Sequence, residues 1–320
     1  MVAESIYINR PTEHMITTAK AWWAFSRPHT IIGSFFSITA LYTISCAILA
    51  GSPTGTYAFM QQHANDYLLT LLSALACNVF IVGLNQWQDI DVDRINKPWL
   101  PLAAGTISLL QAKLAVWMSL IISLGTAFLL GWSFFLLILL INLIGAAYSL
   151  PPLKLKRHHL PAAIAIVTVR GLLVNLGMAA HFTQQISGSW HIPDAVWPLA
   201  LFVVGFSFGI AWFKDIPDTA GDAQFAFKTL AVSMSRNTAL WLGVVVVSIS
   251  YLLVAASPLL LHMPVQTAFF SLSHVVLCVV FIARASRLSL NNETAIKSFY
   301  MFFWLLFFLE YIIYPVSFLL

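Results

Sequence analysis

Charge is what this sequence has least of. Only 9% of its 320 residues are Asp, Glu, Lys or Arg, and 60% are hydrophobic. A soluble globular domain carries roughly 25% charged residues, so the deficit excludes an ordinary water-exposed surface and makes lipid the solvent. The apolar runs are continuous and do not alternate with polar residues, which argues against a transmembrane β-barrel. Cysteine is equally sparse. Cys46, Cys77 and Cys278 all fall within apolar runs and form no CxxC pair, so neither a disulfide framework nor a zinc site is implied. The nine histidines show no HExxH or similar spacing. No linker, low-complexity tract or charge run divides the chain, and residues 1–320 read as a single transmembrane domain.

What is present is a series of apolar stretches, each near the ~20 residues that cross a bilayer as a helix. Nine are expected, near Ile31–Leu49, Tyr67–Trp87, Leu109–Leu129, Ser133–Leu150, Pro161–Phe182, Val196–Phe213, Ala239–Ala256, Ala268–Ala283 and Phe299–Leu319. The fold class is all-α integral membrane, with the two termini on opposite sides. All 16 Lys and Arg fall on one side of this topology or in the adjoining helix ends, whereas loops 51–66, 183–195 and 257–267 hold none. Cytoplasmic loops collect positive charge, so the N-terminus and the basic loops are expected in the cytoplasm. The net charge of +4 is explained by this topology and calls for no nucleic-acid partner. Near the N-terminus stand Glu4 and Glu13 without a long Arg- and Ser-rich tract, so neither a transit nor a signal peptide is expected. A bacterial plasma membrane is the expected location, or a thylakoid or plastid envelope membrane in a photosynthetic lineage.

Acidic residues are few but clustered. After the second span the chain reads Asn85-Gln86-Trp87-Gln88-Asp89-Ile90-Asp91-Val92-Asp93-Arg94-Ile95-Asn96-Lys97-Pro98. If the helix continues through this segment, Asn85, Asp89 and Asp93 share one face at i, i+4 and i+8. After the sixth span Asp215, Asp218 and Asp222 follow in a second cluster, with Asp218 and Asp222 again at i, i+4. The two clusters hold six of the 12 acidic residues and sit four spans apart. Helices 1–4 and 5–8 therefore read as two pseudo-repeated four-helix bundles, followed by a ninth helix, with a site at their interface.

Stacked carboxylates repel, and a hard cation removes that repulsion. Mg²⁺ binds through few carboxylates plus substrate phosphates, so facing clusters fit Mg²⁺ bridged by a diphosphate. Arg94, Lys97, Lys154, Lys156, Lys214 and Lys228 lie on the correct side to neutralise phosphate. The plainer alternative is a pair of solvated loops capping helices. A Ca²⁺ loop is disfavoured by the absence of EF-hand spacing.

The motifs NQxxDxxxDxxNKP at Asn85–Pro98 and DxxDxxxD at Asp215–Asp222 resemble the two signatures of UbiA-type intramembrane prenyltransferases. The resemblance extends to the nine spans, to Arg27-Pro28-His29 and to Tyr148-Ser149-Leu150-Pro151-Pro152-Leu153-Lys154. NQxxD in place of NDxxD, Asn96–Gly105 and Phe213–Asp218 are similar to the homogentisate prenyltransferase branch. The resemblance implies that Asn85, Asp89, Asp93, Asp218 and Asp222 hold Mg²⁺–diphosphate. It also implies that Arg27, Lys214 and either Lys154 or Lys156 contact the diphosphate, because Pro151-Pro152 lengthens the approach, and that Tyr148 lies near the reacting allyl group; Asp215 is a further substrate-binding candidate. The implied reaction joins a phytyl, geranylgeranyl or solanesyl chain to the ring of homogentisate with loss of diphosphate and CO₂.

Such chemistry needs metal and fixed cations where diphosphate charge develops, water exclusion around the allyl cation and a lateral opening for the lipid tail. The acceptor carboxylate needs a cation or amide. Arg170 and Asn175, polar groups within the fifth span, are the candidates, with snorkelling of Arg170 as the alternative. Glu310, in the ninth span, reads as an isolated hydrogen-bonded carboxyl. Three rival functions share these features: the same fold acting on 4-hydroxybenzoate or a naphthoate, a terpene cyclase, and a transporter using intramembrane acids.

Overall fold

The computed structural model describes residues 11–219, 224–225 and 228–320, which form helices joined by short connections. Helix α1 (Pro11–Phe25) turns at Arg27, whose φ of 56° is left-handed, into α2 (Pro28–Ala50). Pro28 fits that first turn because its missing N–H has no intrahelical partner to lose. Where the sequence reads only as a loop, Ser52 caps a short helix, α3 (Pro53–Gln62), by accepting from the Gly55 N–H.

Helix α4 (Ala64–Gln88) does not continue through the first acidic cluster. It breaks at Asp89 (φ −118°, ψ 20°) and restarts as α5 (Ile90–Asn96). A reciprocal capping box between Ser108 and Gln111 starts α6 (Leu109–Leu129). Then follow α7 (Trp132–Ser149) and α8 (His159–Ser187), whose middle, Val167–Gly177, is π-helical. The chain ends with α9 (Asp194–Phe213), α10 (Arg236–Leu261), α11 (Thr267–Ser286) and α12 (Glu293–Leu319).

Among the described residues nine helices, α2, α4 and α6 to α12, are long and apolar enough to cross a membrane, one for each expected span. Helix α4 packs on α2, α6 and α7, while α9 packs on α8 and α10. Helix α12 lies against both α11 and α2 and so closes the bundle into a ring. Each half carries its acidic segment at the end of its second helix, α4 or α9, as the internal repeat implies.

Small residues let the helices approach. A Cβ on Gly171 of α8 would sit 2.7 Å from Val204 Cγ2 and 3.0 Å from Val204 Cα on α9. Large apolar side chains such as Ile121 (64% exposed), Leu253 (63%) and Leu272 (66%) cover the outer faces, where hydrocarbon solvates them. At the end of the bundle bearing the acidic segments, Lys228 is tied into the α7–α8 connection. Its N–H donates to Arg157 O (2.7 Å), and the His159 N–H donates to Lys228 O (3.0 Å).

Candidate active site

One cavity of about 900 Å³ occupies the middle of the ring. Its polar end collects Arg27, Asn85, Asp89, Asp93, Lys97, Tyr148, Lys156, Lys214, Asp215 and Asp218. The four described carboxylates on it are buried, at 6–8% exposure. The two acidic segments therefore converge, and Lys97 from the first pairs with Asp218 from the second. Asp222 lies outside the described residues.

Lysines neutralise these acids. Lys156 pairs with Asp89, Lys154 Nζ lies 3.7 Å from Asp89 Oδ1, and Lys214 Nζ lies 2.9 Å from Asp215 Oδ1. The sequence leaves Lys154 and Lys156 as alternatives for the phosphate contact, and both reach the same carboxylate. Burial pushes the Asp93 carboxyl up to about 6, against the opposing pull of Lys97 and Arg27. Burial likewise lowers Lys156 to about 8, although Asp89 works to hold its proton. Asn85 Nδ2 donates to Ser149 Oγ (3.3 Å), and Lys214 Nζ stands 5.8 Å from the Tyr148 ring centroid.

Two expected site residues are elsewhere. Arg94 is exposed and pairs with Asp91 (3.0 Å), away from the cavity. One residue past Asp93 a helical side chain points to a different face, whereas Lys97, four past, shares Asp93's face. Asn175 is fully buried behind the wall, not on it, and its side chain serves the backbone of Arg170 and Gly171 and the Tyr311 hydroxyl. Glu310 is not isolated, because its carboxylate lies 3.1 Å from His274 Nε2, both fully buried. Arg170 does line the cavity. Its guanidinium lies 5.0 Å from the Trp304 ring and 5.4 Å from the Phe307 ring, so it does not snorkel.

Other contributors went unread. Gln86, inside the NQxxD motif, turns away from the cavity and donates to Phe25 O (2.7 Å), which braces the turn that presents Arg27. Asn78 lines the cavity two turns before Asn85 and bonds Thr30 and Ser34 of α2. Its spacing of seven from Asn85 was the available signal. At the mouth, Lys297 Nζ of α12 stands 4.3 Å from the ring of Trp99, which follows α5.

Deeper walls are apolar, with Ile81, Ile138, Ile141 and Met178 among them. An apolar groove of about 350 Å³ between α7 and α8 shares Ile144 and Ala165 with the cavity. Its other lining includes Ile164, 52% exposed on the outer face.

The donor set at the polar end is entirely oxygen, which suits Mg²⁺ rather than a softer metal. Asp89 Oδ1 is buried and accepts no hydrogen bond, with only the Lys154 ammonium 3.7 Å away, so it keeps a lone pair for a cation. Among the described residues no three His, Cys, Asp or Glu side chains form a closed cage. Such an open set fits an ion that takes its remaining ligands from phosphate and water.

An oxygen-rich, lysine-ringed mouth above an apolar chamber, in a ring of membrane-spanning helices, has the shape and charge to suit a polyanionic headgroup over a lipid tail. The sequence profile of the UbiA prenyltransferase family matches residues 39–306, and the chain belongs to that family and is a prenyltransferase. It is 40% identical over 303 residues to homogentisate phytyltransferase of Synechocystis sp., covering 94% of this chain and 96% of that protein. It is 34% identical to a chloroplastic homogentisate solanesyltransferase of Arabidopsis thaliana, covering 92% and 76%. Among solved structures it resembles a UbiA homolog from Archaeoglobus fulgidus bound to GPP and Mg²⁺ (TM-score 0.62, 22% identity, 93% of this chain and 99% of that one). A homolog from Aeropyrum pernix K1 shares the fold with a TM-score of 0.65 at 20% identity, covering 91% of this chain and 96% of that one.

Proposed function

We propose that the protein transfers a phytyl or geranylgeranyl chain from its diphosphate to the ring of homogentisate, releasing diphosphate and CO₂, in tocopherol- or plastoquinone-type synthesis. The observation that carries this reading is the pairing of two separated acidic segments across Lys97–Asp218 at one cavity, with the unpaired guanidinium of Arg170 further along its wall. The named activities of the relatives supply the acceptor.

Asn85, Asp89, Asp93 and Asp218, with Asp222, would hold Mg²⁺. Bound there, the ion offsets charge on the departing diphosphate. Lys97, Lys154, Lys156 and Lys214 leave their carboxylates for the phosphate oxygens and stabilise the anion as its carbon–oxygen bond breaks. Arg27, braced by the Gln86 contact, meets the diphosphate from the α1–α2 turn. Tyr148 turns its ring to the allyl cation, an attraction of about 0.5–2 kcal/mol. The apolar chamber keeps water from that cation, and the tail passes Ile144 and Ala165 into the groove between α7 and α8.

Arg170 binds the acetate carboxylate of the acceptor and so presents the ring to the cation. A carbon–carbon bond forms and the ring proton leaves. Loss of CO₂ from the acetate group leaves a carbanion equivalent that takes up one proton and becomes the methyl substituent, so the proton count balances. The mouth shares its end of the bundle with the basic loops, which supports an opening on the cytoplasmic side.

Membranes holding the protein, given labelled prenyl diphosphates and a panel of aromatic acceptors, test the reading. Product is expected with homogentisate and geranylgeranyl or phytyl diphosphate. No product with homogentisate but product with 4-hydroxybenzoate overturns the acceptor assignment. Product without any acceptor overturns the transferase reading in favour of cyclisation.

A further inference from the structure

We infer that Asn175 and Tyr311 form a latch that positions Arg170 for the acceptor carboxylate. This rests on the assignment of Arg170 to that carboxylate made above.

Arg170 sits in the π-helical stretch Val167–Gly177 of α8. Single π turns are frequent at functional sites; here the π geometry runs over 11 residues and is held by added side-chain bonds. Asn175 makes them. Its Nδ2 donates to Arg170 O (2.8 Å) and to Gly171 O (3.0 Å). Its Oδ1 accepts from the Tyr311 hydroxyl (2.8 Å). Two carbonyls can only accept, so the amide orientation is fixed and the tyrosine must donate. Asn175 is 0% exposed and Tyr311 2%. A buried amide with each of these bonds made is an expensive thing to disturb.

Helix α12 completes the device. Trp304, Phe307 and Tyr311 fall at i, i+3 and i+7, on one face, and all three line the cavity. The first two lie against the Arg170 guanidinium, and the third grips the backbone below it through Asn175. Among the described residues Arg170 has no carboxylate within ion-pair distance. Ring faces orient a guanidinium but do not cancel its charge, so this half-buried cation on the cavity wall is left to meet an anion. The latch therefore aims a cation whose counter-ion arrives with the substrate. Without it the π stretch relaxes toward α-helical pitch, and a one-residue change of register turns a side chain by about 100°.

The test uses the full-length protein in proteoliposomes, with homogentisate as acceptor and geranylgeranyl diphosphate as donor. The variants are Arg170→Gln, Tyr311→Phe, Asn175→Leu and the Arg170→Gln/Tyr311→Phe pair. Arg170→Gln is expected to raise the homogentisate KM by about 20-fold, as expected for loss of a charged hydrogen bond. Tyr311→Phe should raise it about fivefold while the donor KM stays within about twofold. The double variant should be no worse than Arg170→Gln alone, because the latch acts only through that residue. If Tyr311→Phe leaves the homogentisate KM unchanged while Arg170→Gln raises it, the latch is overturned and the acceptor assignment stands. If Tyr311→Phe raises both KM values alike, or adds fully to Arg170→Gln, its role is general packing and the latch is again overturned. An unchanged KM in Arg170→Gln overturns the acceptor assignment itself, and the latch with it. Should Asn175→Leu fail to insert, Tyr311→Phe, which removes one oxygen, carries the test.

Discussion

Lys156→Met should destabilise the metal-free protein far more than the metal-loaded one. Lys156 is 5% exposed and pairs with Asp89, 7% exposed. Removing one partner of a buried ion pair costs about 3–5 kcal/mol, because the other charge stays buried without compensation. Lys154, 3.7 Å from the same carboxylate, holds the loss near the low end, about 3 kcal/mol. At ~2 °C per kcal/mol for a chain of this size, the unfolding midpoint in EDTA should fall by about 6 °C. Excess Mg²⁺ supplies the missing positive charge, and the deficit should shrink to about 2 °C or less. Tryptophan fluorescence in detergent micelles, with and without Mg²⁺, reads both values. Turnover should fall about 100-fold under either condition, since the lysine no longer meets the departing diphosphate. A variant that melts with the parent in EDTA refutes the reasoning, as does equal protection of both proteins by Mg²⁺.

Three further outcomes are expected. Asp93→Asn and Asp218→Asn should each lower turnover by at least ~1,000-fold without loss of the folded protein, and EDTA should mimic them in the parent until Mg²⁺ is restored; activity surviving either change counts against a shared metal–diphosphate site. Gly171→Ala should cost about 1–3 kcal/mol in thermal unfolding, because the new Cβ meets Val204 Cα at 3.0 Å and backbone cannot step aside. Ala165→Phe should cut turnover with geranylgeranyl or phytyl diphosphate by about tenfold or more and spare dimethylallyl diphosphate, as measured by product formation from each donor; equal losses with both place the tail elsewhere.

The spans were legible because hydrocarbon imposes long uninterrupted apolar runs, and nothing else in the chain imitates them. The meeting of the acidic segments was legible from charge repulsion and from their placement four spans apart. The break at Asp89 was not. Helical spacing favours one continuous face, and only the lysines from the α7–α8 connection, far away in sequence, draw that carboxylate inward. Arg94 carries the charge a diphosphate site calls for, but its angle about the helix axis turns it toward Asp91 and away from the cavity. Asn175 was read as a ligand contact since a polar residue in a span is a functional hypothesis by default, but the π pitch turns its amide back onto the Arg170 carbonyl. Glu310 looked alone because its histidine partner belongs to another helix. Each unread contact joins residues distant along the chain, which local periodicity does not encode.

The seam between α2 and α12 has a consequence for biogenesis. The chamber wall borrows Trp304, Phe307 and Tyr311 from α12, while Arg27 and His29 come from the start of α2, far earlier in the chain. During translation, the pocket lacks one side until that helix is threaded into lipid and zips onto α2. A half-inserted chain can therefore gather aspartates and lysines, yet offers no sealed space in which a carbocation would survive, and competence waits for α12 to dock.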